Sequence, residues 1–216
     1  MNKDFARQQM IGQQVRAWDV LDVDVLAGLK TVQRELFVPA EYEALAFADT
    51  EIPIGHGEMM MTPTIEGRVL QALGLVGGES VLEIGTGSGF LTACLAELST
   101  HVTSIEIHDD FIDEAQRRLA DCDVDNVDII KMDGTEELPD GTFDAIAVTG
   151  SIQTFDSRLL DALNPGGRLF VVVGDAPAMS AMQVTRFDED NCQSVTLFET
   201  VLEPLVNGSL PPQFSF

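Results

Sequence analysis

The first third of the chain carries apolar residues at helical spacing, interrupted by one segment rich in helix breakers. The spacing predicts a helix over residues 5–15, and Asp22 is placed to cap a second helix. Pro39 is placed to start a short third helix. Residues 49–57 hold proline and glycine at close intervals and are predicted to form a loop. Thr62 precedes a proline, which is typical of an N-cap followed by the first helical position.

From residue 78 onward, short apolar runs alternate with helical patterns. A short buried strand is predicted over 80–84 and further strands over 102–106, 127–130, 143–148 and 168–173, with helices over 89–98, 109–119 and 157–163. A tight turn is predicted over 164–167 and an antiparallel hairpin over 181–188 and 193–202. Residues 208–216, which include two prolines, are expected to form an extended end.

Regular strand–helix alternation with short connections predicts the α/β class. We expect a doubly wound, Rossmann-like and mostly parallel sheet. An antiparallel C-terminal hairpin forms its edge, and a helical extension precedes it. The predicted boundaries are 1–75 for the extension with its loop and 76–216 for the sheet domain, together one compact unit.

Composition narrows the class of protein further. The chain has 216 residues, of which 45% are hydrophobic, enough for a packed core. Its apolar runs are shorter than the ~18 residues that cross a bilayer, and the N-terminus lacks a signal-peptide pattern. A cytoplasmic location is therefore expected. Cys94, Cys122 and Cys192 are scattered and form no CxxC pair, so we predict buried reduced thiols, with neither disulfides nor a metal site.

The formal net charge of −24 makes the chain strongly acidic. Such a field repels nucleic-acid backbones and anionic lipid surfaces, so neither is an expected partner. A solvated acidic surface explains the charge more simply than a dedicated partner site. We expect a monomer or a weak dimer.

A glycine-rich loop between the first buried strand and its helix is the strongest chemical signal. Gly85, Gly87 and Gly89 let the backbone approach a ligand and are expected to leave amides at the helix start free to bind it. Their GxGxG spacing differs from the GxGxxG of dinucleotide sites. Glu83 precedes the first glycine, where its carboxylate can accept from an ammonium group. S-adenosylmethionine (SAM) carries an ammonium there and NAD a pyrophosphate, which favours SAM.

Two further carboxylates follow the next strands. Glu106 ends the second strand, where a carboxylate can accept from both ribose hydroxyls. Asp133 follows the third strand and can accept from the adenine amino group. Because ligands of open α/β sheets bind at the carboxyl ends of strands, the ordered set predicts a SAM site. Its residues are Met60, Glu83, Ile84, Gly85, Thr86, Gly87, Ser88, Gly89, Glu106, Ile107, Asp133 and Gly134.

The chain resembles the protein-L-isoaspartate O-methyltransferase family over most of its length. EIGTGSG at 83–89 is similar to that family's SAM motif, and QQVR at 13–16 and RELFVP at 34–39 to its N-terminal helices. FAD at 47–49 and IPIG at 52–55 look like its substrate-side loop, and NPGG at 164–167 and EPLV at 203–206 match later segments. The resemblance implies methylation of the free carboxylate of isoaspartyl residues in damaged proteins or peptides. An anionic carboxylate needs no strong base, so rate comes from alignment and exclusion of water.

The segment GEMMMTP at 57–63 departs from the family pattern. Met61 stands where the family carries its active-site serine, and methionine donates no useful hydrogen bond. Thr62 can replace that hydroxyl or cap the next helix. His56 can bind a substrate carboxylate or finish a turn. The methionine triplet can line an apolar pocket or fill the core.

Three hypotheses therefore stand. The first is carboxyl methylation of isoaspartyl peptides, with SAM on the residues above and residues 54–62, including His56, Met61 and Thr62, on the substrate. The second keeps SAM but changes the acceptor to another small-molecule or peptide carboxylate. The third is a SAM-binding module without catalysis, a class that an intact set of cofactor residues disfavours.

Overall fold

The computed structural model describes residues 2–208 and contains a seven-stranded sheet with helices against it. Nine strands are β1 Ile52–Gly55, β2 Glu58–Met60, β3 Ser80–Ile84, β4 His101–Glu106, β5 Val127–Lys131, β6 Phe143–Ile152, β7 Leu163–Asp175, β8 Ala178–Arg186 and β9 Cys192–Thr200 within the described residues. The sheet order is β5-β4-β3-β6-β7-β8-β9. The first five strands in this order, β5, β4, β3, β6 and β7, pair in parallel. Strand β8 pairs antiparallel with β7, and β9 pairs antiparallel with β8. The predicted fold class and edge hairpin are confirmed.

The six α-helices of the described residues are α1 Lys3–Met10, α2 Val23–Thr31, α3 Pro63–Leu73, α4 Phe90–Leu98, α5 Asp109–Asp121 and α6 Arg158–Asp161. The predicted caps are present, because Asp22 accepts from two amides of α2 and Thr62 accepts from the Ile65 amide. A 3₁₀ helix, Ala40–Leu45, follows Pro39 as expected. The predicted 5–15 helix is instead two pieces, α1 followed by a π-helical turn over Ile11–Val15.

Buried side chains alternate between the two faces of the sheet. Phe170 and Val172 of β7 belong to one core cluster with residues of α2, α3 and α4, whereas Leu169 and Val171 belong to a second cluster with Leu159 of α6. This alternation follows from the two-residue repeat of a strand. Strands β3 and β6 are largely buried on both faces, which explains their apolar runs, whereas β5 at the sheet edge is only partly buried.

Three local predictions are wrong. Residues 49–57 do not form a simple loop, since β1 and β2 make an antiparallel hairpin there. The predicted turn over 164–167 is a bulge inside β7, whose pairing with β6 jumps from Leu163 to Arg168. Helix α6 ends at Asp161 because β7 already begins at Leu163.

Two remaining expectations concern the thiols and the C-terminal end. Cys94 is buried, but Cys122 is only partly buried and Cys192 is exposed, so buried thiols are wrong for the last two. The extended end falls almost wholly outside the described residues. Within residues 2–208, every helix is too short or too polar to cross a membrane.

Candidate functional site

A cleft opens at the carboxyl ends of β3, β4 and β6, the usual ligand position in an open α/β sheet. It contains about 940 Å³ of empty space, part of it open to solvent. We call residues 83–88, 106–107 and 133–134 its cofactor lining. The lining residues of 51–61 and those of 202–206 form its hairpin lining.

A buried polar network surrounds Glu83 in the cofactor lining. Its Oε2 accepts from Thr92 Oγ1 at 2.5 Å and from Ser104 Oγ at 2.6 Å, and Thr86 Oγ1 lies 2.6 Å from Ser104 Oγ. Its Oε1 has no hydrogen-bond partner among the described residues. Burial raises the pKa of Glu83 to about 8, and the two hydroxyls offset this only partly. An unpaired carboxylate oxygen lining a cleft suits a cationic ligand group.

The amides of the three glycines in the loop are not free for a ligand, contrary to expectation. Gly85 donates to Ile105 O at 2.9 Å, and Gly87 donates to Glu106 Oε2 at 2.9 Å. The Gly89 amide closes a turn within the loop. The loop is therefore held to β4 by the amides of Gly85 and Gly87.

The glycines are required by conformation and close packing. Gly85 has a φ of +99°, and a Cβ there would lie 2.3 Å from Thr149 Oγ1. Gly87 has a φ of +50°, and its Cβ would lie 3.2 Å from Ile54 Cδ1 of the hairpin lining. Both angles favour glycine. The loop thus brings the two linings of the cleft close together.

Glu106 is buried at the end of β4 and receives three backbone amides. Besides Gly87, the amides of Ile107 and His108 donate to its Oε1 at 2.8 and 3.0 Å. A carboxylate has about four lone-pair positions, so capacity for a ligand hydroxyl remains on Oε2. The backbone hydrogen bonds fix the direction of the carboxylate in advance.

Asp133 follows β5 and forms a local turn. Its Oδ1 accepts from the amide and hydroxyl of Thr135, and its Oδ2 accepts from Asn207 Nδ2 at 2.7 Å. These hydrogen bonds lower its pKa against the opposing effect of burial. Gly134 is packed tightly, since a Cβ there would lie 2.6 Å from Ile84 Cγ2. Asp133 therefore links the cofactor lining to the chain that follows β9.

Methionines contribute the apolar part of the hairpin lining. Met60 and Met61 are both buried and both line the cleft, so the triplet serves the core and the pocket together. Arg34, which is fully buried, donates to the Met61 carbonyl at 2.7 Å and pairs with Glu66. Thr62 is outside the cleft lining, and its hydroxyl caps α3.

His56 occupies the turn between β1 and β2. Its φ is +54°, between two glycines that also have positive φ. Its Nε2 lies 2.8 Å from Asp110 Oδ2, and its ring stacks on His108 at 4.1 Å. The residue finishes the turn and is directed to the start of α5 rather than into the cleft lining.

Acidic groups dominate the hairpin lining. Burial raises the pKa of Glu51, and the nearby Glu203 adds to the effect. Burial likewise raises the pKa of Glu58, while His108 partly offsets it. All three glutamates line the cleft, and no lysine or arginine does so among the described residues. The cleft therefore offers a cation more than it offers a free anion.

The comparison with known families decides what kind of protein carries this cleft. Residues 6–210 match the family model described as Protein-L-isoaspartate(D-aspartate) O-methyltransferase. The chain belongs to the protein-L-isoaspartate O-methyltransferase family. The resemblance found in the sequence motifs is thereby confirmed.

Similar members of the protein-L-isoaspartate O-methyltransferase family span most of the chain. Protein-L-isoaspartate O-methyltransferase 1 of Rhodopseudomonas palustris (strain HaA2) is 38% identical over 202 residues, covering 93% of this chain and 82% of the relative. A Methanoculleus marisnigri protein-L-isoaspartate O-methyltransferase is 34% identical, covering 93% and 91%. A crystal structure of a Plasmodium falciparum protein of this putative activity, in complex with S-adenosyl-L-homocysteine, matches at a TM-score of 0.80 with 20% identity, covering 95% and 98%. This last similarity supports the fold.

Most of the residues predicted for the site of this family member come together in the cleft. Gly89, Thr62 and His56 lie outside its lining, and the other predicted residues line it. Sequence reasoning missed Thr92 and Ser104, which hold Glu83. It also missed Thr149, whose hydroxyl donates to the carbonyls of the glycine loop. Isolated hydroxyls inside a helix or strand carry no motif, so only the alternation of buried positions could have indicated them.

Proposed function

We propose that this chain transfers the methyl group of SAM to the free carboxylate of isoaspartyl residues in damaged proteins or peptides. Family membership supports the reaction, and one observation carries the cofactor assignment. The buried Glu83 Oε1 lines the cleft without a partner among residues 2–208, and an ammonium group would satisfy it. SAM, when bound, supplies a methyl group on a positively charged sulfur.

Each carboxylate of the cofactor lining has a proposed part in holding SAM. Glu83 would accept from the ammonium group and ionise as it does so, because a neighbouring positive charge favours the carboxylate. Glu106 would use its remaining lone pair for the ribose, and Asp133 with Gly134 would meet the adenine. The packed glycine loop and Ile84 would support these contacts.

The hairpin lining would position the acceptor and exclude water. A carboxylate is already an anionic nucleophile, so alignment with the methyl group matters more than a general base. Met60 and Met61 present buried apolar surface beside the glycine loop. We propose that this surface keeps water from the transfer, and that Thr62 acts only as the cap of α3.

A second candidate keeps SAM and changes the acceptor. It is favoured by Met61 in place of the family serine and by the glutamates of the hairpin lining, which give an entering carboxylate little electrostatic help. A third, a SAM-binding module without catalysis, is disfavoured by the complete cofactor lining.

One assay separates the three. The full chain is incubated with methyl-labelled SAM and an isoaspartyl peptide, beside a twin peptide with ordinary aspartate. We expect label only on the isoaspartyl peptide. Equal or absent labelling of the peptides, with labelling of another acceptor from an extract, supports the second candidate. SAM binding by calorimetry without turnover on any acceptor supports the third.

The setting of the reaction also stays a proposal. We propose protein or peptide substrates rather than nucleic acid, because the net charge of −24 repels phosphate backbones. We further propose a cytoplasmic monomer or weak dimer, in which residues 1–75 and 76–216 act as one compact unit. Light scattering across a concentration series would test the oligomeric state.

A further inference from the structure

Three potential metal ligands meet beside the cleft, where the β1–β2 turn touches the start of α5. They are His56, His108 and Asp110, and one ligand atom from each lies within 4.8 Å of the others. His56 Nε2 approaches both Asp110 oxygens, at 2.8 and 3.0 Å. The two imidazole rings stack with an interplanar angle of 8°. The methyl-transfer proposal uses none of these three side chains.

His108 carries the second observation. Its Nε2 atom is buried and has no hydrogen-bond partner in the described part of the chain. A buried polar atom without a partner costs roughly 1–3 kcal/mol, so native proteins keep few of them. His108 also lines the cleft, so this nitrogen can be satisfied by an ordered water, by a ligand in the cleft or by a metal ion.

The backbone of His56 carries a third observation. A non-glycine residue at a φ of +54° is uncommon and costs on the order of 1 kcal/mol or more. The strained turn places the imidazole against His108 and directs its Nε2 to Asp110. Phe111 makes T-shaped contacts with both rings, with centroid distances of 5.3 and 5.2 Å.

We propose that His56, His108 and Asp110 form a binding site for a divalent transition-metal ion of the zinc class. Two imidazoles and one carboxylate are a set of donors that zinc accepts, with a fourth position left for water. The donor atoms of a zinc tetrahedron lie about 3.4 Å apart, given zinc–ligand distances of about 2.0–2.2 Å. A bound metal ion lies close to the plane of each imidazole that holds it, so one of the two stacked rings would have to rotate out of the parallel arrangement to complete the site.

The surroundings favour a cation at this position. Glu58 and Glu106 both lie close enough to His108 or its backbone to interact with it. The net charge of −24 raises the local concentration of cations over the whole surface. An ion here would join the β1–β2 hairpin to α5 and fix one side of the cleft. The three side chains come from two separate segments of the chain, so no short sequence motif contains all of them.

The chain contains a matched control pair. His101 lies 3.2 Å from Asp128, and its side chain is 43% exposed, against 42% for His56. Asp128 and Asp110 are also similarly exposed, at 74% and 67%. The His101–Asp128 pair belongs to no candidate cluster among residues 2–208. It therefore tests whether an exposed His–Asp pair alone is enough.

The experiment titrates zinc chloride into the full chain after chelator treatment and dialysis, with calorimetry as the readout. We expect one ion per chain, and cobalt substitution should give the visible absorption of a tetrahedral centre. His108→Ala should weaken zinc binding at least about tenfold, since even outer contacts of metal sites are worth that much. His101→Ala should leave it unchanged.

A conservative variant protects the test against misfolding. Asp110→Asn keeps the size of an exposed side chain and should also weaken zinc binding at least about tenfold. Absence of zinc binding by the wild-type chain would overturn the proposal. So would equal binding by the wild type and both cluster variants, or an equal loss in His101→Ala. No methyl acceptor takes part, so the outcome is independent of the proposed methylation.

Discussion

The two linings of the cleft are built from different kinds of residue. The cofactor lining holds carboxylates that the protein itself orients, with hydroxyls on Glu83 and backbone amides on Glu106. The hairpin lining holds buried methionines, the partly buried Glu51 and Glu58 and the exposed Glu203, and Arg34 donates a hydrogen bond to it from behind. The cofactor lining presents oriented carboxylate oxygens that can accept hydrogen bonds from a ligand. The hairpin lining presents apolar surface and carboxylates that favour a positively charged group.

Family membership is therefore more informative about cofactor binding in the first lining than about the acceptor that the second lining selects. The cofactor lining brings together the carboxylates of Glu83, Glu106 and Asp133, to which we assign SAM. The hairpin lining carries Met61 where the resemblance leads us to expect a serine, and no lysine or arginine lines the cleft among the described residues. Changes in the two linings should therefore have different signatures, on SAM affinity in one and on acceptor selectivity in the other.

The largest effect is expected for the support behind the hairpin lining. Arg34→Met removes the partner of buried Glu66 and the donors to the carbonyls of Met61 and Ala46. Breaking one half of a buried ion pair costs about 3–5 kcal/mol. We expect the free energy of unfolding in urea to fall by about that amount at pH 8.

The double variant Arg34→Met with Glu66→Gln is the control. Removing both charges leaves no unpaired ion, so most of the lost stability should return. Burial already raises the pKa of Glu66 to about 7 despite Arg34, which indicates how costly its charge is there. If the double variant were as unstable as the single one, the ion pair would not be what supports the hairpin lining.

The next effect concerns Glu83 and tests the cofactor lining without any ligand. Its folded pKa of about 8 lies above the ordinary 4.5, so the neutral form is favoured on folding. The corresponding stability is complete below pH 4.5 and is lost as pH rises toward 8. Glu83→Gln cannot ionise, so its stability advantage over wild type should grow by about 3 kcal/mol between pH 5 and pH 8.

Urea unfolding at several pH values measures this, with exposed Glu97→Gln as the matched control. We expect a larger change with pH for Glu83→Gln than for this control. An equal change in both variants would show that burial does not suppress the ionisation of Glu83. The unpaired Oε1 atom would then belong to a carboxylate that is charged even without a ligand.

The fold and the cofactor lining were accessible from sequence for a physical reason. Strands buried on both faces are continuous apolar runs, and the side chain that ends each run lies at the edge where ligands bind. The sequence pattern alone therefore places Glu83, Glu106 and Asp133 together. It does not indicate their hydrogen-bond partners, because Thr92 and Ser104 meet Glu83 only after α4 and β4 pack.

The hairpin lining was harder to predict. Strands β1 and β2 have only four and three residues, and β1 contains a proline and a glycine, so the segment has the composition of a loop and too few residues to show alternation. Leu202 to Val206 reach the cleft only after β8 and β9 have turned back along the sheet. The prediction of free glycine amides is also wrong, because the hydrogen bonds of Gly85 and Gly87 to β4 depend on the register between β3 and β4.

A smaller effect is expected at the ribose position. Glu106→Gln places an amide group where backbone N–H groups now donate, and it removes the charge that would accept from ribose hydroxyls. Hydrogen bonds to charged groups are worth about 1.5–3 kcal/mol, so SAM affinity should fall about 10–100-fold. Calorimetry measures this beside the Glu97→Gln control. Unchanged affinity would contradict the ribose assignment and leave Glu106 as a support of the glycine loop alone.

The smallest effect is expected at Met61, where the chain departs from the family pattern. Met61→Ser restores a hydroxyl beside the glycine loop, and a net hydrogen bond of about 0.5–1.5 kcal/mol would raise kcat/KM for an isoaspartyl peptide about 2–10-fold. Met60→Ser is the control, because Met60 is buried to a similar degree in the same lining, at 4% against 6% exposure. Both variants lose apolar burial, so both should lose stability, but only Met61→Ser should gain peptide activity. If both lose activity equally, the methionine is part of a working acceptor site, and a different acceptor becomes the better proposal.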